Sequence, residues 1–555
     1  MRRKLWLSLC LLVLAGGCTP EQYARQADTA AYTALQQGQQ EALGETAEFD
    51  VHYEPYAASD GGRIVVGDLV IPVGEAEPVT LAIRDCLHIA LRNSRSFQTR
   101  KEQLYSQALA LASSRRTWDW SLFDGPIAAD ASHTRTLPED GDNSASGDAA
   151  GTLTQRFKGG AVLVLGVTLD FATDFLGGGD TTAGSLLEAN LTQPLLRGAW
   201  RGLAYEDQYR RERDFLIAVF EYERFTQTFA VDIVSQYYSV LQQRDQVANE
   251  ESNIERLEET LALTRVQAEG GQVSPIQKDQ AEQNLLDARV RLEQQRQRYE
   301  DALDGYKITL GLPVRAAVEL DYPHTLQGLV QRGPREVPFE EDEAIRVALA
   351  SRPDVLTQRA NLRDTERDVA IAADEFNPQL DLEAAVSAEG SDNWRLWDVR
   401  PDDHTRKVGV SFRYNLDQTE NRDAYRNAIL ARRRAERSYD EFVDQVRLEV
   451  RQSYRELLQS RQTYEIRLRN VEIARRRSKL ARLQQQEGEA SARDVLEAEE
   501  ALRNAQDGLT SALVAYTTTR LRFLAQLGMI RLDEEGRIDE RGEPETSERI
   551  QHRYE

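Results

Sequence analysis

The stretch QQQEGEASARDVLEAEEALRNA (Gln484 to Ala505) decides the fold. From about Glu420 to Gln486 the chain runs without Pro or Gly. The run breaks at Gly488 and restarts at Ser491, as a helix that ends on a left-handed residue and begins again at an N-cap. VQAEGGQVSPIQKDQAEQNLLDA (Val266 to Ala288) repeats the arrangement, with Gly270 and Gly271 as the stop and Ser274–Pro275 as the restart. Each is read as a long helix that stops, turns and returns as a shorter antiparallel partner. One continuous kinked helix explains neither the Ser-Pro restart nor the recurrence.

Working outward, the chain is written twice. Gly271 aligns with Gly488, Ala281 with Ala498 and Gly311 with Gly528, an offset of about 217 residues. Upstream, VTLAIRDCLHIALRNS (Val79 to Ser94) aligns with VPFEEDEAIRVALASR (Val337 to Arg352), with Cys86 on Ala344, Ala90 on Ala348 and Leu91 on Leu349. There the offset has grown to about 258, so the first copy carries roughly 40 extra residues.

Both copies place a short and a medium helix first, over about Leu81 to Trp118 and Glu340 to Phe376. Strands follow. Leu380, Leu382, Ala384 and Val386 alternate with Gln379, Asp381 and Glu383, and Val408, Val410, Phe412 and Tyr414 with Lys407, Gly409, Ser411 and Arg413. Ser121 to Arg135 and Ser185 to Leu195 are the counterparts in copy one. The extra GTLTQRFKGGAVLVLGVTLDFATD is read as an inserted hairpin turning at Gly159–Gly160. In the long helix of copy two, Val443, Val450, Leu457, Tyr464 and Val471 recur every seven residues, beside Val446, Ser453, Ser460, Ala474 and Ala481. That repeat implies left-handed supercoiling, and about 67 residues at 1.5 Å rise span roughly 100 Å. Copy one matches over about Trp200 to Glu269.

The organisation expected is residues 1–17 as a signal segment, 18–78 as an extension, 79–320 as repeat one and 321–338 as a linker. Repeat two follows at 339–530, and 531–555 is a disordered acidic tail. YEPYAASDGGRIVVGDLVIPVGEAEP, within the extension, reads as extended chain. The 555 residues are 29% charged with a net charge of −23. That suits long solvated helices and argues against a polyanionic partner such as nucleic acid. Basic runs at Ala431 to Ser438 and Ala474 to Leu483 lie among carboxylates and read as solvated helix faces. His52, His88, His133, His324, His404 and His552 are scattered, without paired metal-ligand spacing, and there is no P-loop, dinucleotide fingerprint or nucleophile elbow. No enzyme, metal or cofactor is expected.

MRRKLWLSLCLLVLAGGC opens with Arg2, Arg3 and Lys4 before about ten apolar residues, as a secretory signal does. Its LAGGC is similar to the bacterial lipobox. That resemblance implies cleavage after Gly17, acylation (palmitate) of Cys18 and, with Thr19 following, delivery to the outer membrane. Cleavage removes three positive charges and leaves a still more acidic chain. With Cys10 removed and Cys18 acylated, Cys86 alone remains and no intrachain disulfide is available.

The duplicated order of helices, strand pair and long helical hairpin resembles the TolC-like outer-membrane efflux proteins. LTQPLLRGAW (Leu191 to Trp200), ALASRPDVL (Ala348 to Leu356), FNPQLDLE (Phe376 to Glu383) and GEASARDVLEAE (Gly488 to Glu499) carry the resemblance. It implies a mainly α fold with membrane β. Three chains, with about four strands each, would close a transmembrane β-barrel above a periplasmic α-barrel of helical hairpins. It implies a passive outer-membrane channel, fed by a periplasmic adaptor and an inner-membrane transporter. The hairpin tips would meet the adaptor and form the gate, so Gly270, Gly271, Glu487, Gly488, Glu489 and Asp494 are the gate candidates. The family's Gly-then-Asp signature is present as Gly488 and Asp494, whereas copy one has Gln277 at the Asp position. Helix capping is an equal reading of these carboxylates. Lys407, Ser411 and Arg413 would face the water-filled lumen, and the apolar strand faces lipid. The inserted hairpin would enlarge extracellular loops or occupy the lumen, and it leaves the strand count open. The rival is a non-conducting coiled-coil envelope scaffold lipoprotein. It needs no amphipathic strands.

Overall fold

In the computed structural model the described residues are 20–44, 46, 49–53, 63–66, 69–74, 77–119, 128–135, 143–174, 181–199, 201–329, 333, 335, 339–390, 399–487, 489–533 and 536–540. In chain order they form helix α1 (Pro20–Leu43), strands β1 (Arg63–Val66), β2 (Leu69–Pro72) and β3 (Val79–Leu81), then helices α2 (Ile83–Asn93) and α3 (Arg95–Arg116). Strands β4 (Ala128–Arg135), β5 (Asn143–Arg156), β6 (Val162–Asp174) and β7 (Thr181–Pro194) follow, and then helices α4 (Arg201–Ala204), α5 (Glu206–Glu269) and α6 (Pro275–Leu310). Strand β8 (Val318–Leu320) and a π-helical turn (Pro323–Gln327) join the halves. The second half holds α7 (Glu341–Ser351), α8 (Pro353–Asp374), β9 (Gln379–Gly390), β10 (Val399–Arg413), α9 (Thr419–Gln486) and α10 (Ala492–Gln526). Strands β11 (Ile530–Leu532) and β12 (Ile538–Glu540) close it.

The chain divides into two compact units, one of residues 1–49, 104–219 and 357–439, the other of 50–103, 220–356 and 440–555. The first holds a six-stranded antiparallel sheet in the order β10-β9-β7-β6-β5-β4. The repeats meet side by side in it, with Leu191 opposite Ala384 and Thr192 opposite Glu383. At the foot of the sheet one carboxylate ties both repeats. Asp374 accepts from the Gly198 amide at 2.8 Å and from Asn377 Nδ2 at 2.8 Å. Gly198 has φ +72°, which explains the glycine in LTQPLLRGAW. Among the described residues this sheet has six strands, where about four were expected and the insertion left the count open. The inserted hairpin turns at Gly160 (φ +86°) as read, but its strands pair on both sides inside the sheet.

Two segments outside the repeats take definite structure. The segment read as a mixed extension begins with α1, whose Ala31, Ala34 and Leu35 are buried within the first unit. A Cβ on Gly38 would lie 2.3 Å from the Phe215 ring, so this glycine is a packing contact of α1. Arg115 donates to Gln37 at 2.7 Å, and Tyr105 donates to Asp28. The tail read as disordered from 531 is paired as a hairpin through Glu540. Gly536 approaches the Arg84 carbonyl and the His88 amide too closely for any Cβ. Residues 541–555 lie outside the described residues.

The second unit carries the two hairpins. Val446, Val450, Ser453, Leu457, Tyr464, Val471, Ala474 and Ala481 are the buried stripe of α9, the seam the sevenfold spacing predicts. The partners run backward along α10: Tyr464 packs with Ala512 and Leu513, Val471 and Ala474 with Leu502 and Ala505, and Ala481 with Val495 and Ala498. That descending register is an antiparallel hairpin, and its alanines allow close axes. In the first hairpin Leu257 packs with Ala281, Leu285 and Ala288. Each returning helix ends on a left-handed glycine, Gly311 at φ +80° and Gly528 at φ +71°. A Cβ there would meet the Asn93 carbonyl at 2.1 Å or the Ser351 carbonyl at 3.0 Å. Asn93 and Ser351 are themselves equivalent, so the closure is duplicated with the sequence.

Candidate functional site: the hairpin tips and the amphipathic sheet

Both long helices end on the same six-to-one hydrogen bond. In the first, Gln272 N donates to Gln267 O at 2.8 Å and Gly271 N to Ala268 O at 3.0 Å, with Gly271 at φ +72°. This six-to-one and five-to-two pair is a Schellman stop. In the second, Glu489 N donates to Gln484 O at 2.7 Å, which is the same six-to-one bond 217 residues on. Gly488 and Cys18 lie outside the described residues.

The restarts differ. Ser274 caps α6 with backbone only, followed by Pro275. At α10, Asp494 N donates to Ser491 Oγ at 3.3 Å, and Ser491 N donates to Asp494 Oδ2 at 3.0 Å, a reciprocal capping box. Hydrogen bonds from the Ser491 side chain and backbone hold the Asp494 carboxyl below its ordinary value. Asp494 therefore stands in the geometry of a helix cap. Glu487 and Glu489 are exposed, and Gly270 is the last residue before the left-handed turn, its amide donating to Val266 O at 3.0 Å.

A network the sequence reading missed lies close behind the turn. Glu499 on α10 is fully buried. It pairs with Arg256 of α5 and with Arg482 of α9 at 3.2 Å, and accepts from Ser478 Oγ at 2.6 Å. One carboxylate thus joins three helices from both repeats. Beside it, Gln485 Nε2 donates to Thr264 Oγ1 at 3.2 Å and Gln267 Nε2 to Gln485 O at 3.1 Å. Glu499 falls in GEASARDVLEAE, but in a chain so rich in Glu nothing marks it as buried. The available signal was its place next to Ala498 on the small-residue face. The remaining cysteine, Cys86, is buried and its thiol is pushed up to about 12, chiefly by desolvation; it is chemically quiet.

The sheet has two unlike faces. On β10, Val408, Val410 and Phe412 share a face with Ala384, Leu382 and Leu380 of β9. They are 79%, 62% and 64% exposed, and they lie together as one contiguous apolar patch of the kind that marks a partner or membrane surface. Lys407, Ser411 and Arg413 lie together on the opposite face, as read. There Ser411 Oγ donates to Glu383 Oε1 at 3.0 Å and Arg413 stands 3.9 Å from Asp381. Among the described residues no group of side chains could hold a metal ion, and no helix is long and apolar enough to cross a membrane.

Residues 344–529 match the family described as outer membrane efflux protein. No curated protein matches the chain by sequence. Among solved structures, a membrane protein from Pseudomonas aeruginosa has a TM-score of 0.59 at 15% identity, covering 86% of this chain and 99% of its own. The outer membrane protein VceC from Vibrio cholerae has 0.57 at 14%, covering 80% and 96%. The Campylobacter jejuni CmeC outer membrane channel has 0.56 at 16%, covering 85% and 89%. The fold is thus that of outer-membrane channels along most of the chain. The family match itself lies within the second repeat.

Proposed function

We propose that the chain is the outer-membrane channel of a tripartite efflux or secretion system. Three copies close a transmembrane β-barrel, and their helical hairpins line a periplasmic conduit. Substrate passes through passively, delivered by a periplasmic adaptor and an inner-membrane transporter. The observation that carries the reading is the pair of unlike sheet faces. An apolar face left exposed in water has no stabilising role, whereas in lipid it is the required surface. An open sheet edge is not tolerated in the hydrocarbon region, so a single chain cannot complete the structure. Lys407, Ser411 and Arg413 then face water inside. A scaffold needs none of this.

In this reading the turns at Gly270–Gly271 and Glu487–Asp494 are the periplasmic entrance and the adaptor contact. Cys18 carries the acyl chains that fix the N-terminus to the membrane. Purified protein in planar bilayers should conduct, and its mass in mild detergent should be that of three chains. A monomer without conductance would favour the scaffold instead. A disulfide between neighbouring tips, introduced at Glu487 and Glu489, should block transport while leaving assembly intact. Cys18→Ser should abolish acylation, read by mass spectrometry of the processed N-terminus.

A further inference from the structure

The strongest unassigned feature is the pair of strands that copy one has and copy two lacks. We propose that the inserted hairpin β5–β6 is a full part of the barrel wall, and that edge strands β4 and β10 pair between neighbouring copies to close an eighteen-stranded exit. The proposal deepens the channel reading and rests on it.

The ladder is the first support. β5 pairs with β4 from Ala128↔Ala150 to Arg135↔Asn143, and with β6 from Ser144↔Asp174 to Arg156↔Val162. β6 continues onto β7 from Val162↔Thr192 to Thr173↔Thr181. Both inserted strands are therefore interior to the sheet, and the described partner of β4 is β5. A flap above the membrane or a plug in the lumen would leave β4 beside β7. Here β4 reaches the rest of the sheet only through the hairpin.

Length and facial pattern agree. β5 has 14 residues and β6 has 13, matching the 14 of β7 and the 12 of β9. A tilted membrane strand needs roughly 9–11. Register puts Leu163, Leu165 and Val167 of β6 on one face with Leu191, Ala189 and Leu187 of β7, and these in turn with Ala384, Val386 and Ala388 of β9. The apolar face thus continues from β9 and β7 onto β6, and onto β5 at Leu153 opposite Leu165, with the buried Gln155 opposite Leu163 at its end. The opposite face of the hairpin carries Thr152, Thr154 and Arg156 of β5 and Val162, Val164 and Thr168 of β6, in line with Glu188, Asn190 and Thr192 of β7. A lumen plug would have no reason to keep a lipid-type face.

The two edges fit each other. The six strands alternate in direction, so β4 and β10 run oppositely, and β10 of one copy set against β4 of the next continues the antiparallel order. Three copies of six strands make eighteen. Barrel diameter grows roughly linearly with strand number, and barrels of about 16–18 strands leave an aqueous channel. The exit would be about one and a half times as wide as four strands per chain would make it. It would pass large hydrated solutes without sorting them by size.

The test pairs Ser132→Cys on β4 with Thr405→Cys, Lys407→Cys, Gly409→Cys or Ser411→Cys on β10, in the full chain. These positions share the polar face. Mild oxidation should give covalently linked copies for one or two neighbouring pairs, read on non-reducing gels. In parallel, a fluorophore on Val167→Cys should be quenched by brominated lipid, and one on Thr168→Cys by aqueous iodide. Trimers that stand but link at no pair, or a Val167 probe quenched only from water, would overturn the proposal and return the hairpin to a loop or plug. Protein that stays monomeric and out of the bilayer would overturn the channel reading itself, and the proposal with it.

Discussion

Two side chains behind the turn decide how firmly the second hairpin is held. Glu499 is buried against Arg256 and Arg482, so removing it leaves the Arg256 guanidinium, 16% exposed, without its carboxylate, while Arg482 keeps Glu259 at 3.9 Å. Breaking a buried pair in this way costs about 3–5 kcal/mol. Glu499→Ala should lower the unfolding midpoint accordingly, and should raise the time spent conducting in bilayers if the tips form the gate. A variant with unchanged stability would remove Glu499 from the core of the tip. The cap at Ser491 is smaller in effect: Ser491→Ala should cost about 1 kcal/mol and speed hydrogen exchange over the first turn of α10. The Asp494 carboxyl is lowered in the fold, so its contribution is whole at neutral pH. That contribution disappears as pH falls from the ordinary value of 3.8 through the depressed one. Exchange at residues 492–495, corrected for intrinsic rate, should rise only in that acidic window.

At the scale of elements, the duplication makes paired predictions possible. Gly311 and Gly528 hold the same left-handed turn, but the space differs. A Cβ would come within 2.1 Å of the Asn93 carbonyl in one and 3.0 Å of the Ser351 carbonyl in the other. Left-handed backbone alone costs a non-glycine residue roughly 1–2 kcal/mol. Gly311→Ala should therefore destabilise well beyond Gly528→Ala, as measured by thermal unfolding in detergent; equal effects would contradict the packing. The strand faces give a second contrast. Val410→Lys places charge on the face assigned to lipid, at a cost of about 2–4 kcal/mol near the bilayer midplane. Ser411→Lys, one residue on, places it toward water. Membrane-inserted trimer should be lost in the first and kept in the second.

These elements also show what was legible in the sequence. The hairpins were readable because α9 keeps one sevenfold seam from Val446 to Ala481, and because the Gly-stop and Ser-restart occur twice. The strands were readable from period-two alternation. Helix α1 was not, since Gly38 interrupts a Gln- and Ala-rich segment, and only Phe215 packed over it explains that glycine. Glu499 was hidden for a related reason: burial of one carboxylate among many depends on a neighbouring helix from the other repeat.

For the whole molecule the charge on the polar sheet face matters. Asp148, Glu188, Glu383 and Glu389 share it with Arg156, Lys407 and Arg413, by register through every ladder from β5 to β10. Asp381 is partly spoken for by Arg413. Rings of carboxylates favour cations, so reversal potentials under a salt gradient should show cation preference, weakened in a Glu188→Gln, Glu383→Gln double variant. Anion preference would place this face somewhere other than the conducting path.

Sequence alone determined the duplication, the long hairpins, their turns and the two-faced strands, because periodicity and turn chemistry are local properties of the chain. Tertiary structure alone decided that the insertion joins the sheet and raises it to six strands. It also decided that Asp494 serves as a cap, and that Glu499 is buried between repeats. Each of those depends on which distant segment lies alongside, and pairing between segments leaves no period in the residues themselves.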